Sequence, residues 1–445
     1  MKSKIGLATC TCIVVANMIG TGVFTSLGFQ VADLPSVFPI LMVWALGAVF
    51  ALCGALTYAE LAGALPRSGG EYNFLSRIYH PGIGFMGGVV SSTVGFAAPV
   101  ALASMAFGEY FHNLAPEVSP FSASIAIVSL ATIAHGITIR SSMVFQNIVT
   151  SLKVILILTL IFAGWFLGPT EPLGFLPVAG DGALLTSTPF AIALMYVMYS
   201  YSGWNASTYI MGEVRHPART VPWSLILGSL IVGILYIALN ATFLKVVPIT
   251  ALAGKLDVGS IAAAAIFGDA GGRIMSGLIA GGLISCISAM TWAGPRVMQT
   301  IGQDFPALRV LSWNTRSGIP LLAIALQYSL VIVLLLTASF QSVLLYTQFA
   351  LVSCSLLTVV GVIVLRYREP RLPRPFRCWG YPVPPILFAV TAIFSLYYTA
   401  VQRPMHALAG VLTLGGALGL YFIGVRFFGF AWCDTPGKDI KIRNR

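Results

Sequence analysis

Charged side chains are scarce in this chain: Asp, Glu, Lys and Arg make up 9% of its 445 residues, against 57% hydrophobic. A soluble domain carries about a quarter charged residues, so a globular fold bathed in water is excluded. Acidic residues are the scarcest, 14 against 25 Lys and Arg, and they fall almost entirely in loops or at span ends, with Glu60 and Glu109 near the ends of spans. A proton pump built on buried carboxylate relays has little to work with. No GxxxxGK[ST] phosphate loop occurs, which argues against ATP-driven work by this chain alone. None of the five histidines is spaced with a carboxylate as a metal pair would be, so no metal and no cofactor is expected. The seven cysteines, at 10, 12, 53, 286, 354, 378 and 433, form no zinc-like pair of pairs and read as small core residues. A membrane-surface enzyme needs clustered His, Asp or Glu, and no such constellation is present. The chain therefore reads as something other than an enzyme.

The net charge of +11 raises the question of nucleic acid. That partner needs basic residues gathered on one solvated face. Here they lie between apolar runs, where charge instead sets orientation in a bilayer, so no nucleic acid is expected.

What the chain has in abundance is apolar run. Each bilayer crossing takes about 20 such residues, and the length leaves room for roughly twelve. The runs and their polar breaks predict spans near residues 5–33, 37–64, 82–112, 121–139, 142–168 and 189–213, then 223–246, 272–299, 319–337, 341–365, 383–401 and 405–429. The fold expected is all-α and integral to the membrane, with twelve transmembrane helices. The first segment stays apolar too long for a cleaved signal and is expected to remain in the membrane. With both termini in the cytoplasm, twenty Lys and Arg lie inside and four outside, namely Lys245, Lys255, Arg273 and Arg403. The remaining one, Lys153, falls in mid-membrane. A multi-pass protein of the cytoplasmic (inner) membrane is the expectation.

Span one, as unbroken helix, would reach about 43 Å, beyond a hydrocarbon core of about 30 Å. Near its middle stands Ile19-Gly20-Thr21-Gly22-Val23-Phe24, and span six carries Tyr199-Ser200-Tyr201-Ser202-Gly203-Trp204-Asn205. Either segment alone reads as close helix packing by small residues. Two polar, glycine-containing interruptions at matching places in two halves read instead as broken helices, which membranes tolerate only where the backbone is buried in protein or lines a cavity. Five spans separate equivalent positions, the numerology of a five-plus-five inverted repeat with two helices appended.

At these residues the sequence resembles the amino acid–polyamine–organocation transporters, most closely their bacterial L-type amino acid transporter-like branch. Gly20-Thr21-Gly22-Val23-Phe24 is similar to that family's first-helix signature. Tyr58-Ala59-Glu60-Leu61 with Leu65-Pro66-Arg67-Ser68-Gly69-Gly70-Glu71-Tyr72 resembles the end of the second helix and its loop. Ser202-Gly203-Trp204-Asn205, Gly212-Glu213, Pro217, Arg219 and Pro222 resemble the sixth helix and its exit. Gly294-Pro295-Arg296-Val297 and Arg374-Pro375-Phe376-Arg377 with Trp379-Gly380-Tyr381-Pro382 extend the likeness, although Met298-Gln299-Thr300 departs from the family's pattern.

The resemblance implies a LeuT-type fold with broken helices 1 and 6: residues 1–168 as the first repeat, 189–367 as the second, 383–429 as helices 11 and 12, and 430–445 as a basic cytoplasmic tail. It implies sodium-independent or proton-linked transport of amino acids by alternating access. Eukaryotic members of the branch bind a glycoprotein subunit through a cysteine after the third helix. The loop from His112 to Ser119 has none, so no disulfide-linked heavy subunit is expected.

A broken helix offers opposite partial charges at its gap. N–H groups at the new helix start after Gly20, Thr21 and Gly22 suit a substrate carboxylate. Carbonyls around Met18 and Ile19, and around Tyr199, Ser200 and Ser202, suit its ammonium. Similarity to the family assigns Tyr199 as an aromatic gate and Gly203 as room for the substrate side chain; Asn205, where some relatives carry glutamate, hydrogen-bonds but does not titrate. A lysine at mid-membrane costs about 2.5 to 3.5 kcal/mol and is too deep to snorkel. By analogy Lys153 takes the place of a coupling cation, with Ser285 and Ser288 as weaker members of its cluster. Glu60, Glu71, Arg67 and Arg77 are expected in cytoplasmic charge networks, although the arginines also serve simply as orientation signals. No acid lies in mid-membrane to receive a cationic side chain, so neutral L-amino acids are expected, with a cationic amino acid or polyamine antiporter as the alternative.

Overall fold

A computed structural model describes residues 5–137, 143–169, 175–315 and 318–428. Among the described residues every regular element is helical. In order they are α1 (Leu7–Met18), α2 (Gly22–Asp33), α3 (Val37–Ala64), α4 (Glu71–Ile78), α5 (Pro81–Ser92), a π-helical turn (Thr93–Ala97), α6 (Ala98–His112), α7 (Pro120–Ile137), α8 (Met143–Phe166), α9 (Asp181–Leu185) and α10 (Thr188–Ser200). A 3₁₀ segment (Ala206–Glu213) precedes α11 (Pro217–Val246), α12 (Ile249–Leu252) and α13 (Val258–Asp304). A second 3₁₀ segment (Pro306–Ser312) leads to α14 (Leu321–Thr337), α15 (Phe340–Arg368), α16 (Val383–Gln402) and α17 (Pro404–Phe428).

Nine helical stretches among the described residues are long and apolar enough to cross a membrane, counting α1 with α2 as one; α7, α10 and α14 are shorter apolar helices. This is a multi-pass membrane protein. Lys2, Lys4, Arg140, Arg316, Cys433 and the expected basic tail from 430 onward lie outside the described residues.

Local chemistry explains where several helices start. Ser187 and Ser339 each accept a backbone N–H with the side-chain oxygen at the heads of α10 and α15. Pro81 and Pro217 open α5 and α11, where a missing N–H costs nothing.

The structure departs from the expected spans in three places. The third span carries a π-turn because Ser92 and Thr93 both turn their hydroxyls onto the carbonyl of Val89, at 3.0 and 2.7 Å, and compete with the ladder. The eighth span is preceded by helix rather than loop: α13 starts at Val258 and bends at Gly268, where φ is 75°. Beyond its break, span six winds as 3₁₀ helix instead of α-helix. There Thr208 donates its hydroxyl to the carbonyl of Asn205 at 2.7 Å.

A continuous apolar core runs along the bundle, and at its centre the rings of Trp44, Tyr201 and Tyr236 meet at centroid distances of 5.1 to 5.9 Å. This cluster stands directly behind the two helix breaks.

Candidate functional site

The first break falls where the sequence places glycines. α1 stops at Met18, Ile19 turns out of helical conformation with ψ of 81°, and α2 restarts at Gly22. The N–H groups of Gly22 and Val23 lead α2, where a helix has no carbonyl one turn back to receive them. The second break follows Ser200: Tyr201 to Asn205 form turns, with Gly203 at φ of +96°. A left-handed residue is needed there, and a Cβ on Gly203 would lie 2.8 Å from the carbonyl oxygen of Asn17.

The two breaks touch. A Cβ on Gly22 would stand 2.5 Å from both the Cα and the Oγ of Ser200, so α2 and α10 approach with no room for a side chain at Gly22. Ser200 donates to Ser26 at 3.0 Å across this contact, and the Tyr199 hydroxyl lies 3.4 Å from that of Thr21. Tyr199 is buried. Gly20 is partly open, with Cys286 beyond it.

The carbonyls freed at the first break already have protein donors. Tyr236 of α11 donates to Met18 O at 2.6 Å, and the Lys153 ammonium donates to Ile19 O at 3.1 Å. Met18 O also accepts the Gly20 N–H at 2.8 Å, so both of its lone pairs are used, whereas Ile19 O keeps a second lone pair. At the second break Ser202 N–H closes onto the Tyr199 carbonyl at 2.9 Å. Lys153 is buried, and its stem packs beside Gly282 of α13. Ser285 is buried on the same helix with its hydroxyl unpartnered, whereas Ser288 pairs with His135 of α7 at 2.9 Å. Ser288 thus bonds α7 and not Lys153.

Specific contacts join the helices on both sides of this centre. Toward one end Phe29 stacks between Tyr196 and Phe340, at 5.6 and 5.8 Å, and Gln341 bonds the Tyr196 hydroxyl. The other end is rich in arginine. Buried Glu60 takes Arg366 in a two-pronged pair at 2.8 and 2.6 Å, Arg374 at 3.2 Å and the Cys378 N–H at 2.8 Å. Arg67 and Tyr72 both reach Asp304, and Arg77 pairs with Glu369.

Glu71 differs from the expected charge network. Its carboxylate is buried and accepts from Tyr58 at 2.5 Å and Ser355 at 2.7 Å, both neutral hydroxyls, and it makes no ion pair among the described residues. It sits on the short α4, outside the spans, and burial raises its pKa above the ordinary value.

Sequence reasoning passed over Tyr236, Tyr209, Ser91 and Phe96. Tyr209 follows the second break, its hydroxyl 3.5 Å from Ser91 and its ring against Phe96 of the π-turn. A tyrosine in an apolar helix gives no signal of its own, although hydroxyls at Ser91, Ser92 and Thr93 in one span hinted at irregular backbone there. Among the described residues no three His, Cys, Asp or Glu side chains are placed to hold a metal ion.

The sequence profile described as amino acid permease matches residues 5–416, nearly the whole chain. The chain belongs to this family. It is an amino acid permease of the amino acid–polyamine–organocation superfamily, a transporter rather than an enzyme. The permease is 27% identical to the human (Homo sapiens) b(0,+)-type amino acid transporter 1, over 99% of this chain and 91% of the relative. It is 27% identical to the mouse (Mus musculus) Asc-type amino acid transporter 1, over 96% of this chain and 82% of the relative. It is also similar to the serine/threonine exchanger SteT of Bacillus subtilis (strain 168), 26% identical over 94% of this chain and 96% of that protein.

Proposed function

We propose that this permease exchanges neutral L-amino acids across the cytoplasmic membrane by alternating access, independently of sodium, with both termini inside. The observation that carries the reading is the Lys153 ammonium on the carbonyl of Ile19 at 3.1 Å. A fixed cation at the break takes the part a bound metal cation would otherwise play, so no sodium gradient is needed to complete the site. The N–H groups of Gly22 and Val23 receive the substrate carboxylate. Its ammonium is met by the remaining lone pair of Ile19 and by the backbone around Ser200 and Ser202. Thr21 and Tyr199 close over it, and Gly203 and Asn205 border the side chain.

Neutral substrates are favoured because no carboxylate lies at either break: the acids near the site, Glu60 and Glu71, are already held by arginines or hydroxyls at the arginine-rich end. The serine/threonine exchanger among the relatives supports the same class. Residues 1–168 and 189–367 form the two inverted repeats in this reading, each contributing one broken helix, and the transporter works without a disulfide-linked heavy subunit.

The test is uptake of labelled alanine, serine, leucine and arginine into proteoliposomes in sodium-free buffer, loaded with unlabelled amino acids or left empty. Exchange predicts uptake of the neutral labels only into loaded vesicles. Uptake into empty vesicles driven by external acid refutes exchange in favour of proton symport. Dominant competition by arginine or agmatine refutes the neutral preference.

A further inference from the structure

Some arginines of the arginine-rich end are ion-paired, whereas others, Arg215 and Arg371 among them, are exposed and make no ion pair among the described residues. Arg67, Arg77, Arg366 and Arg374 pair with Asp304, Glu369 and Glu60. Arg219 and Arg377 are exposed and make no ion pair among the described residues. These two belong to one patch. Arg219 lies one helical turn before Trp223 on α11, so both share a face. Arg377 is two residues before Trp379, and the rings of Trp223 and Trp379 meet edge to face at 5.5 Å although each is about half exposed. A single point beside Gly63 lies 3.4 Å from the Phe376 nitrogen and 3.7 Å from the Ala218 oxygen, the immediate neighbours of Arg377 and Arg219.

The loop is held rigid from behind. Glu60 grips the Cys378 N–H and Arg374, and Tyr381 lies under the Arg366 guanidinium at 3.6 Å. Cys378 is thereby buried while its neighbours Arg377 and Trp379 stay on the outside.

An exposed apolar surface continues from the patch into the membrane. On α11, Leu230 and Ile234 follow Trp223 on one face; on α16, Val383, Ile386 and Val390 follow Trp379. Both helices pack on α3. Cations, interfacial tryptophans and then hydrocarbon-facing side chains, in that order, match an amphipathic anion with acyl chains rather than a free ion.

We propose that this patch is a binding site for an anionic phospholipid, its phosphate held by Arg219 and Arg377, its glycerol region against Trp223 and Trp379, and its chains along α11 and α16. With the orientation proposed above, the site faces the cytoplasmic leaflet. Bound there, the lipid ties the loop before α16 to the start of α11.

The test titrates phosphatidylglycerol or phosphatidylcholine into the purified permease in detergent and reads the thermal midpoint and lipid adducts by native mass spectrometry. Because this reads binding, it stands apart from transport and from which leaflet the site faces. Phosphatidylglycerol should stabilise the wild type more than phosphatidylcholine does, and R219Q/R377Q should weaken that response by about tenfold. The variant R309Q/R426Q removes equal charge from exposed arginines elsewhere and should respond as wild type. An unchanged response in R219Q/R377Q, an equal loss in R309Q/R426Q, or the same stabilisation by inorganic phosphate would overturn the proposal.

Discussion

The ammonium of Lys153 donates to the carbonyl of Ile19 across 134 residues of sequence, at 3.1 Å, and so ties α8 to the point where the first span unwinds. On the other carbonyl of that break sits the hydroxyl of Tyr236. The two carbonyls of the break are thus held by side chains from two different helices, which satisfies them within the protein, as a bilayer requires.

Replacing Lys153 by methionine keeps most of the apolar stem and removes the charge. Charge-assisted hydrogen bonds contribute about 1.5 to 3 kcal/mol, so K153M should lower uptake by at least tenfold at normal surface expression. Initial-rate measurements in proteoliposomes check this, and wild-type kinetics in K153M would remove Lys153 from the mechanism.

The close approach of the broken helices predicts a steric contrast. A methyl group at Gly22 meets the backbone of Ser200 at 2.5 Å, whereas one at Gly281 of α13 meets nothing within 4 Å. G22A should abolish exchange. G281A should transport normally and melt at an equal or slightly higher temperature, since alanine is favoured over glycine in a helix by about 1 kcal/mol.

Glu60 joins α3 to α15 and to the loop before α16. Its neutralisation in E60Q leaves Arg366 and Arg374 without a counter-charge in a largely buried place, at a cost of about 3 kcal/mol. A lowered thermal midpoint in detergent is expected. Equal midpoints for E60Q and wild type would mean that water replaces the pair.

Glu71 predicts a pH dependence of the opposite sense to an ion-paired acid. Its neighbours Tyr58 and Ser355 are neutral hydroxyls, with Tyr209 beyond them, and burial raises its pKa above the ordinary 4.5. The folded state therefore favours the protonated acid. That stability is complete below about pH 4.5 and is lost as pH rises through the higher folded value. E71Q mimics the protonated form at every pH, so its advantage in thermal midpoint over wild type should widen as pH is raised. A gap that narrows with rising pH would show that the ionised carboxylate is the stabilised form.

The positions of the breaks were legible because glycine and hydroxyl residues in mid-span are a local signal, and the breaks fall at Ile19 to Thr21 and Tyr201 to Asn205. The partners of the freed carbonyls were legible only for Lys153, whose charge at that depth drew notice. Tyr236 carried no such mark. Ser288 is not separable from the Lys153 cluster by sequence because hydropathy reports depth and not azimuth, and the packing of α13 on α7 pairs it with His135. Glu71, expected in a charge network, is instead buried by the fold against hydroxyls.

The sequence by itself determined a membrane-spanning, all-helical chain with two interrupted spans and a lysine at depth, because hydropathy, glycine and charge act over a few residues of chain. Only the tertiary structure decided which donors satisfy the broken backbone, which arginines are paired and which remain free at the surface. Those outcomes depend on contacts between residues up to 318 positions apart, as for Glu60 and Cys378, and packing alone brings such residues within hydrogen-bond reach.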